Sequence, residues 1–527
     1  MRFFSEFLSE KTKLLLVLGS IGAVVPASAM SQAVNDRSAS ASASVLPAEL
    51  SLQRMVNHLL SVNKTVLSKR NESGITATNI DRAEAAFQPQ VNASINTGDS
   101  LTRNSPEDLG RLLNKDTPSR QLFENRRSNT DYNVGVSKLF SLGTKVEAKT
   151  TMSRFLTNLL EQQQGSSADN YRTFYGVTIT QPLARDAGTE ATMAKLRVAE
   201  LDTASADLGA RDAVSTVTAE GILTYLDLSL AQERVTMADE RIQVGNRLLK
   251  QANDLQKQGR LPLSDVWEVE TSLLRYSAAL SEAKQQLRER VNKLRTMLMT
   301  TSAIVPETLK ATEPLPQVAG EPVLTDRSLK VALEKRDDLR MRRTMADREG
   351  VQLVFSKNQT LPRIDLVASW GVNGLSLKSG DVLNFNSMGN FPTWSLGFQM
   401  NFPIGENRQA KADIVASRLR QEDALLSLHA LEVAISNDID TSVGLLSSAA
   451  ERWKQMLEAA DREQQQLELE RKRLSAGRSG MREILFREER ALNARFAVVE
   501  QQVAYARAEA LLQAAQGTLL ERFQQSN

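Results

Sequence analysis

The chain has 527 residues, of which 24% are charged and only 5% are aromatic. Its 65 lysines and arginines nearly balance its 63 aspartates and glutamates, so no bulk positive charge favours nucleic acid. Cysteine is absent, and the two histidines, His58 and His429, lie far apart in helical patterns. Disulfides, His/Cys metal sites and Cys–His nucleophiles are thereby excluded, and we expect neither an enzyme nor a cofactor.

Residues 1–29 have the pattern of a cleaved secretory signal. Basic residues up to Lys13 precede an apolar run from Leu14 to Val25, which is followed by the small residues Ala27-Ser28-Ala29. The apolar run is shorter than the ~20 residues that a membrane-spanning helix needs. Export is therefore predicted, with a flexible Ala/Ser-rich leader at 30–46.

A first structural repeat is predicted over residues 47–304. It opens with a helical pattern from Pro47 to Phe87, and strand-like alternation follows at Val91–Thr97. A second alternating stretch, Tyr175–Thr180, ends in Gln181-Pro182-Leu183. Such alternation is typical of a barrel strand between lipid and water, and equally of a half-buried strand in a soluble sheet.

The first repeat contains two further strand-like stretches. Tyr132 to Phe140 alternates, Ser141 to Thr144 supplies a turn, and Lys145 to Phe155 returns as another strand. Each copy of the chain is therefore predicted to contribute either four or six strands to a sheet.

A very long helical pattern follows Gly188 and is broken once, at Gln258-Gly259-Arg260. Apolar residues repeat every seven positions, and large residues alternate with small ones, which predicts a left-handed supercoiled seam. Residues 189–257 would form a helix about 100 Å long at ~1.5 Å per residue. A helix of that length indicates a rod or a tube rather than a compact domain.

Prolines interrupt residues 305–325, which we interpret as a linker. A second repeat is predicted over 326–520, followed by a tail at 521–527. It again has a helix, Ser328–Gln359, and then a strand that ends in Phe402-Pro403-Ile404.

The second long helical pattern is broken once, at Ala476-Gly477-Arg478. Pro182 and Gly259 are 77 residues apart (259 − 182), and Pro403 and Gly477 are 74 apart (477 − 403). Two similar units with matching breaks predict an internally duplicated, elongated molecule.

The order and spacing of these signals resemble those of the TolC-like outer membrane efflux protein (OEP) family, over about residues 47–520. The residues that carry the resemblance are the helix-to-strand prolines, the strand-to-helix signals, an Arg-Asp-Asp-Leu stretch that is similar to the family's Arg-Pro-Asp-Leu pattern, and the two Gly-x5-[Asp/Glu]-[Val/Ile] turns. They are Pro89, Pro362, Pro182 with Gly188, Pro403 with Gly405, Arg336–Leu339, Gly259 with Asp265 and Gly477 with Glu483.

The resemblance implies a mainly α fold with membrane β structure: long antiparallel α-helical hairpins form an α-barrel tunnel, and a homotrimer shares one transmembrane β-barrel in the outer membrane of a Gram-negative cell. It also implies a periplasmic adaptor and an inner-membrane pump as partners, with no nucleic acid. Adaptor contact is expected at the tips, Gly259, Arg260, Gly477 and Arg478, although a helical hairpin needs such a glycine even where nothing docks.

The resemblance further implies a pore constriction at Asp265 and Glu483. Phe486 and Ser479 stand where the family has an acidic residue and an arginine, so the sequence leaves open whether an ion-pair lock closes the entrance. Three Glu483 carboxylates in a ring would favour cations. Alternatively, Glu483 is a solvated carboxylate stabilised at a helix start.

The predicted function is that of an exit duct for efflux or for type I secretion, and the sequence does not separate the two. The alternative is a periplasmic coiled-coil adaptor or scaffold without a conducting pore. Two hairpins, each preceded by amphipathic strands, favour the duct, since an adaptor typically carries one hairpin and an anchor.

Overall fold

The computed structural model describes residues 49–103, 105, 107, 124–157, 170–299, 309–314, 318, 323–376 and 391–524. The predicted signal and leader lie outside the described residues. The helices are α1 Leu52–Val62, α2 Lys64–Glu84, α3 Thr189–Thr192, α4 Ala194–Lys257, α5 Leu263–Met297, α6 Thr325–Lys335, α7 Asp337–Asn358, α8 Arg408–Ser475, α9 Met481–Ala515 and α10 Glu521–Gln524. Within the described ranges, no helix combines the length and the hydropathy needed to cross a membrane.

The two long helical hairpins are α4 with α5 and α8 with α9. Helix α4 has 64 residues and α8 has 68, which correspond to about 96 and 102 Å at 1.5 Å per residue. The predicted helix over 189–257 is interrupted only at Met193, which separates the short α3 from α4. The breaks at Gly259 and Gly477 are where the sequence predicts them.

Each of the two shorter helical patterns is one helix in the sequence-based prediction and two in the structure, and this prediction was therefore wrong. Asn63 ends α1 with an extended backbone, and its side chain accepts hydrogen bonds from the backbone of Thr65 and Val66, which starts α2. Arg336 is extended in the same way between α6 and α7. One extended residue redirects the chain while the apolar periodicity continues through it.

Four helices lie side by side both beside the sheet and farther from it, toward the tips. Beside the sheet, α4 packs against α2 and α7, and α7 packs against α8. Farther from the sheet, α4 packs against α5 and α9, and α9 packs against α8. One edge of this wall is therefore α8, and the other is α2 continued by α5.

The strands are β1 Glu49–Leu50, β2 Gln90–Arg103, β3 Glu124–Leu139, β4 Lys145–Thr157, β5 Asn170–Pro182, β6 Lys310–Ala311, β7 Arg363–Ser376 and β8 Pro392–Asn401. Six of them form one antiparallel sheet in the order β2-β3-β4-β5-β7-β8. Of the two predicted strand numbers, the described residues give six per chain.

The register places apolar side chains on one face of the whole sheet. Val91, Val136, Ala148, Val177, Trp370 and Trp394 are consecutive partners across all six strands. Because side chains alternate along a strand, every second residue from these positions lies on the same face. We call this the apolar face; it consists of Val91, Ala93, Ile95, Tyr132, Val134, Val136, Val146, Ala148, Met152, Tyr175, Val177, Ile179, Ile364, Leu366, Ala368, Trp370, Val372, Trp394, Leu396, Phe398 and Met400.

The opposite face of the sheet, the polar face, carries charged side chains such as Asp131, Glu147 and Arg172. Asp131 accepts a hydrogen bond from Ser153 at 2.5 Å, and Ser369 and Ser395 are 2.7 Å apart across β7 and β8. The two faces therefore differ in chemistry over the full width of the sheet.

A small parallel pair, β1 with β6, joins the start of the described chain to the predicted linker. Tyr225 of α4 donates its hydroxyl to the Leu50 carbonyl at 2.9 Å, and Leu309 is buried in the same apolar cluster. Part of the region predicted as a linker is thus packed into the helical core.

Arg336 connects four segments at the break between α6 and α7. Its guanidinium lies 2.7 Å from the Asp338 carboxylate and 3.6 Å from that of Asp438, and it donates to the Ala515 carbonyl at 3.4 Å. The carboxyl group of Asp212, on α4, lies near the same group. Burial, followed by the negative charge of Asp338, raises the pKa of Asp212.

We expect Arg336→Met to lower the free energy of unfolding by about 2 kcal/mol, because it leaves the half-buried Asp338 without its partner. Arg340 pairs with Asp337 at 3.8 Å and is more exposed, so Arg340→Met should cost less than about 0.5 kcal/mol. The measurement is the midpoint of denaturant unfolding in detergent, followed by circular dichroism. Equal shifts for the two variants would contradict a structural role for Arg336.

Candidate functional site: hairpin tips, strand junctions and the sheet

The two hairpin tips have the same backbone geometry. Gly259 has φ of +67°; its N–H donates to the Gln256 carbonyl, and the Arg260 N–H donates to the Leu255 carbonyl, both at 2.9 Å. Gly477, with φ of +68°, and Arg478 donate to Leu474 and Arg473 at 2.9 and 2.8 Å. This pair of bonds is the Schellman motif, in which a left-handed residue ends a helix.

Nothing lies within 4 Å of where a Cβ would stand on either tip glycine. Backbone conformation, rather than lack of space, therefore requires glycine here. Arg260 and Arg478 are exposed beside these glycines, so each tip presents a turn and an adjacent arginine to solvent.

The two carboxylates predicted at the constriction lie in the first turns of α5 and α9. Asp265 accepts a hydrogen bond from the neighbouring Ser264 hydroxyl at 3.3 Å. Glu483 accepts one from Arg487, four residues later in the same helix, at 2.9 Å. Each carboxylate is thus engaged within its own helix.

The ion pair that joins the two hairpins near their tips is Arg482 with Glu268, at 2.8 Å. The sequence analysis missed it, because each residue is an ordinary exposed charge in its own helix and only the packing brings the two together. Phe486 has two cations near its ring, since the guanidinium carbons of Arg487 and Arg490 are 5.7 and 5.5 Å from the ring centre.

An apolar cluster fixes the positions of the two tips relative to each other. Its buried members come from the end of α4 and the starts of α5 and α9. They are Leu248, Ala252, Val266, Val269, Met481, Ile484 and Leu485. The tips are therefore held by packing, with the Arg482–Glu268 pair on the surface.

The first strand-to-helix junction is enclosed. After Pro182, the Leu183 N–H donates to the Ile364 carbonyl at 2.8 Å, and the Asp186 N–H donates to the Asn358 side chain at 2.8 Å. Gly188 has φ of +83° and precedes α3, and its N–H donates to the Leu142 carbonyl at 3.2 Å. The predicted junction residues Pro182 and Gly188 thus adjoin the turn between β3 and β4.

Gly143 in that turn has φ of +88°, and a Cβ there would lie 2.5 Å from the Asp186 carbonyl oxygen and 2.8 Å from the Pro182 ring. Only glycine allows the turn to approach the junction this closely. The Thr144 hydroxyl also bonds the Gln181 side chain. The hairpin of β3 and β4 is therefore seated against the base of β5.

The second junction is open. Pro403 and Gly405 follow β8 in an exposed segment, and nothing lies within 4 Å of a Cβ at Gly405. Ile404 between them is fully exposed. Asn407 begins α8 by accepting a hydrogen bond from the Ala410 N–H at 3.3 Å. Unlike the first junction, this one lies at an edge of the sheet.

Among the described residues, no cluster of histidine and acidic side chains is suited to hold a metal ion.

Solved structures share this architecture. The CmeC outer membrane channel of Campylobacter jejuni has 13% identity and a TM-score of 0.61, with 89% of this chain and 86% of that chain covered. The outer membrane protein VceC of Vibrio cholerae has 14% identity and a TM-score of 0.60, with 88% and 96% covered. The MtrE outer membrane channel of Neisseria gonorrhoeae has 15% identity and a TM-score of 0.59, with 89% of each chain covered.

The chain thus has the fold of outer membrane channels, and the resemblance to the TolC-like outer membrane efflux proteins is confirmed as a likeness of fold. At the level of sequence, neither a family model nor a curated protein matches.

Gly143 and Gly188 form a matched pair for testing the close approach at the first junction, because they have similar φ but different surroundings. We expect Gly188→Ala to cost about 1–2 kcal/mol of stability from backbone strain alone. Gly143→Ala should cost at least 1 kcal/mol more, because its methyl group also overlaps the junction. The measurement is the denaturation midpoint of the purified variants. Equal losses would contradict the role of the close approach.

Proposed function

We propose that this protein is the outer membrane exit duct of a tripartite export system. Three copies share one β-barrel in the outer membrane of a Gram-negative cell, and their helices form a tunnel through the periplasm. An inner-membrane pump supplies the energy, and a periplasmic adaptor connects the pump to the duct. The observation that carries the proposal is the exposed apolar face of a sheet that is carried by helices of about 100 Å.

The height of the uncharged band on the apolar side suits a membrane. On β3 the side chains on this side between Lys138 and Arg126 are Val136, Val134, Tyr132, Thr130 and Ser128. Twelve residues (138 − 126) at ~3.3 Å each, on a strand tilted by about 40°, span about 30 Å, the thickness of a hydrocarbon core. In β5, β7 and β8, the positions on this side carry no charge. Trp394 and Phe398 are about three-quarters exposed, so a soluble monomer would leave a large apolar surface in water.

Both edges of the helical wall also carry exposed apolar side chains at helical spacing. On α8 these are Val415, Leu419, Leu426 and Val433, and on α5 they are Leu263, Trp267 and Leu274. The edges differ, so contact between them is head to tail, which closes into a ring when copies are related by rotation. In a ring the α8 stripe, which lies beside the sheet, faces α2 of the next copy, and the α5 stripe, which lies near the tip, faces the far end of α8, so both stripes are covered.

The tips lie at the far end of the hairpins from the sheet, where an adaptor would reach them. We assign adaptor contact to Gly259, Arg260, Gly477 and Arg478, because both turns are exposed and have one shape. Asp265 and Glu483 lie just inside the tips and would line the entrance. The bond from Arg487 offsets the charge of Glu483, which weakens the predicted ring of three carboxylates as a cation selector.

The first experiment is extraction from the outer membrane fraction, followed by native mass spectrometry and conductance in planar lipid bilayers. We expect a trimer that inserts and conducts. A protein that needs no detergent and conducts no current would instead support the scaffold without a pore. Conductance by a monomer would contradict the shared barrel.

Gly477→Val tests the tip. A β-branched residue is strained at φ of +68°, so the turn should distort, while the sheet and the helical seams remain. We expect trimers in the outer membrane and a loss of export of at least tenfold, read as sensitivity of the native host to exported toxic compounds. Gly477→Asn is the control, since asparagine tolerates this conformation and should retain export. Loss of trimers with valine would make the tip a folding element rather than a docking site.

A further inference from the structure

The sheet has two open edges, β2 and β8. Every residue of both strands is exposed. An unpaired strand presents backbone donors and acceptors that no water can satisfy inside a membrane. If this sheet lies in a bilayer, each edge therefore requires a partner strand.

The two open edges have the polarity that pairing between copies needs. β2 begins at the helical end of the sheet and runs away from it, whereas β8 runs toward the helices and continues into α8. A β8 placed beside the β2 of the next copy is therefore antiparallel to it, like every other pair in the sheet. The same neighbour brings α8 beside the α2 and α5 edge.

The strands are inclined by an angle that suits a barrel. The paired residues that begin at Val91, the second residue of β2, end at Trp394, seven residues before the end of β8 (401 − 394). Along this row of partners, the distance from the helical end of the sheet increases by about six residues between β2 and β8, which are five strand spacings apart. At ~3.3 Å per residue and ~4.8 Å between strands, this corresponds to a strand tilt of about 40°. Membrane barrels have tilts of about 35–45°.

Six strands also match the width of the helical wall. At this tilt each strand occupies about 6.3 Å of circumference, so six occupy about 38 Å and four about 25 Å. Four helices packed 8–10 Å apart occupy about 32–40 Å. Six strands are therefore about as wide as the four helices that continue from them, which favours a barrel wall that includes β3 and β4.

The β3–β4 turn supports the same arrangement from inside the chain. It fills the space beside the first junction, where Gly143 contacts Asp186 and Pro182, whereas the second junction at Gly405 faces open space. The open junction adjoins β8, the edge that the next copy would cover. The β3–β4 hairpin is thus packed against the base of the sheet, as a part of the barrel wall would be.

We propose that β8 of each copy pairs with β2 of the next, so that a trimer closes a barrel of eighteen strands. In this barrel, β3 and β4 are part of the barrel wall. This inference rests on the trimer of the proposed function. Its pore would be about one and a half times as wide as that of a barrel with four strands per copy at the same tilt, since diameter grows with strand number.

The two faces restrict the register of the new pair. Asn401 lies on the polar face at the base of β8, and it must pair with a polar-face residue at the base of β2. Between neighbouring strands of the sheet, partner residues shift by about one position away from the helical end. The same shift across the new pair places Asn401 opposite the base of β2, where the polar-face residues are Gln90 and Asn92. All three residues are exposed, and the chain has no cysteine of its own, so introduced cysteines report without background.

The test is disulfide formation between copies in the full-length protein in its native membrane. Asn401→Cys is combined with Asn92→Cys, and separately with Gln90→Cys. We expect one of the two combinations to give covalent trimers that a reductant returns to monomers, because directly opposed strand residues have Cβ atoms close enough for a disulfide. The single variants should give no trimers.

Asn401→Cys with Glu147→Cys is the matched control. Glu147 lies on the polar face near the base of β4, and it would meet β8 of the next copy if β2 and β3 lay outside the wall. Covalent trimers from this combination would overturn the eighteen-stranded barrel. A native trimer in which none of the combinations forms a disulfide would overturn the strand pairing alone, whereas a monomer would overturn the proposed function as well.

Discussion

The alternation of side chains across one pleated sheet is the constraint on which the rest of the molecule depends. A shift of one residue in any strand would exchange its apolar and polar sides. The register keeps residues as distant in sequence as Val91 and Trp394 on the same face. That face cannot be covered by the helices, which continue from the ends of the strands rather than lying across them. The sheet therefore requires an apolar environment beyond its own chain.

The helical part has the complementary requirement. Away from α1 and α6, its wall is four helices wide and one helix thick, so each helix buries a narrow stripe against each neighbour. Small residues such as Gly221, Ala238 and Gly245 are buried in α4, where they let neighbours approach closely. A Cβ at Gly221 would lie 2.6 Å from the Leu59 side chain. A wall of this kind gains stability only from lateral contacts, which the edge helices of an isolated copy lack on one side.

Much of this architecture could be predicted from the sequence, because it rests on repeating patterns. Heptads predicted the long helices, alternation predicted where strands lie but left their number at four or six, and isolated glycines predicted the turns. The number of strands stayed open because Thr150 and Arg154 interrupt the apolar side of β4. The breaks at Asn63 and Arg336 were missed because a single extended residue leaves no gap in the periodicity.

Contacts between distant segments explain the remaining differences. The Arg482–Glu268 pair joins residues 214 positions apart, and neither residue stands out in its own helix. The fit of Gly143 against Asp186 depends on how two turns meet in space. The local sequence does not encode how two distant turns approach each other. The tips were therefore predicted as turns from the sequence itself, whereas the pore constriction at Asp265 and Glu483 was predicted only from the family resemblance.

The small pairing of β1 with β6 can form only after the residues near 311 have been synthesised. Leu50 lies against Tyr225 and Leu309, and the Leu52 N–H donates to the Glu313 carboxylate at 3.0 Å across 261 positions. The beginning of the first half is therefore complete only after more than three hundred residues have been delivered. Closing so long a loop is slow, and the four strands of that half are already present before β7 and β8, with which they form the sheet. For that interval the exposed apolar strands can associate with other unfolded chains, so aggregation competes with folding most strongly before the second half is complete.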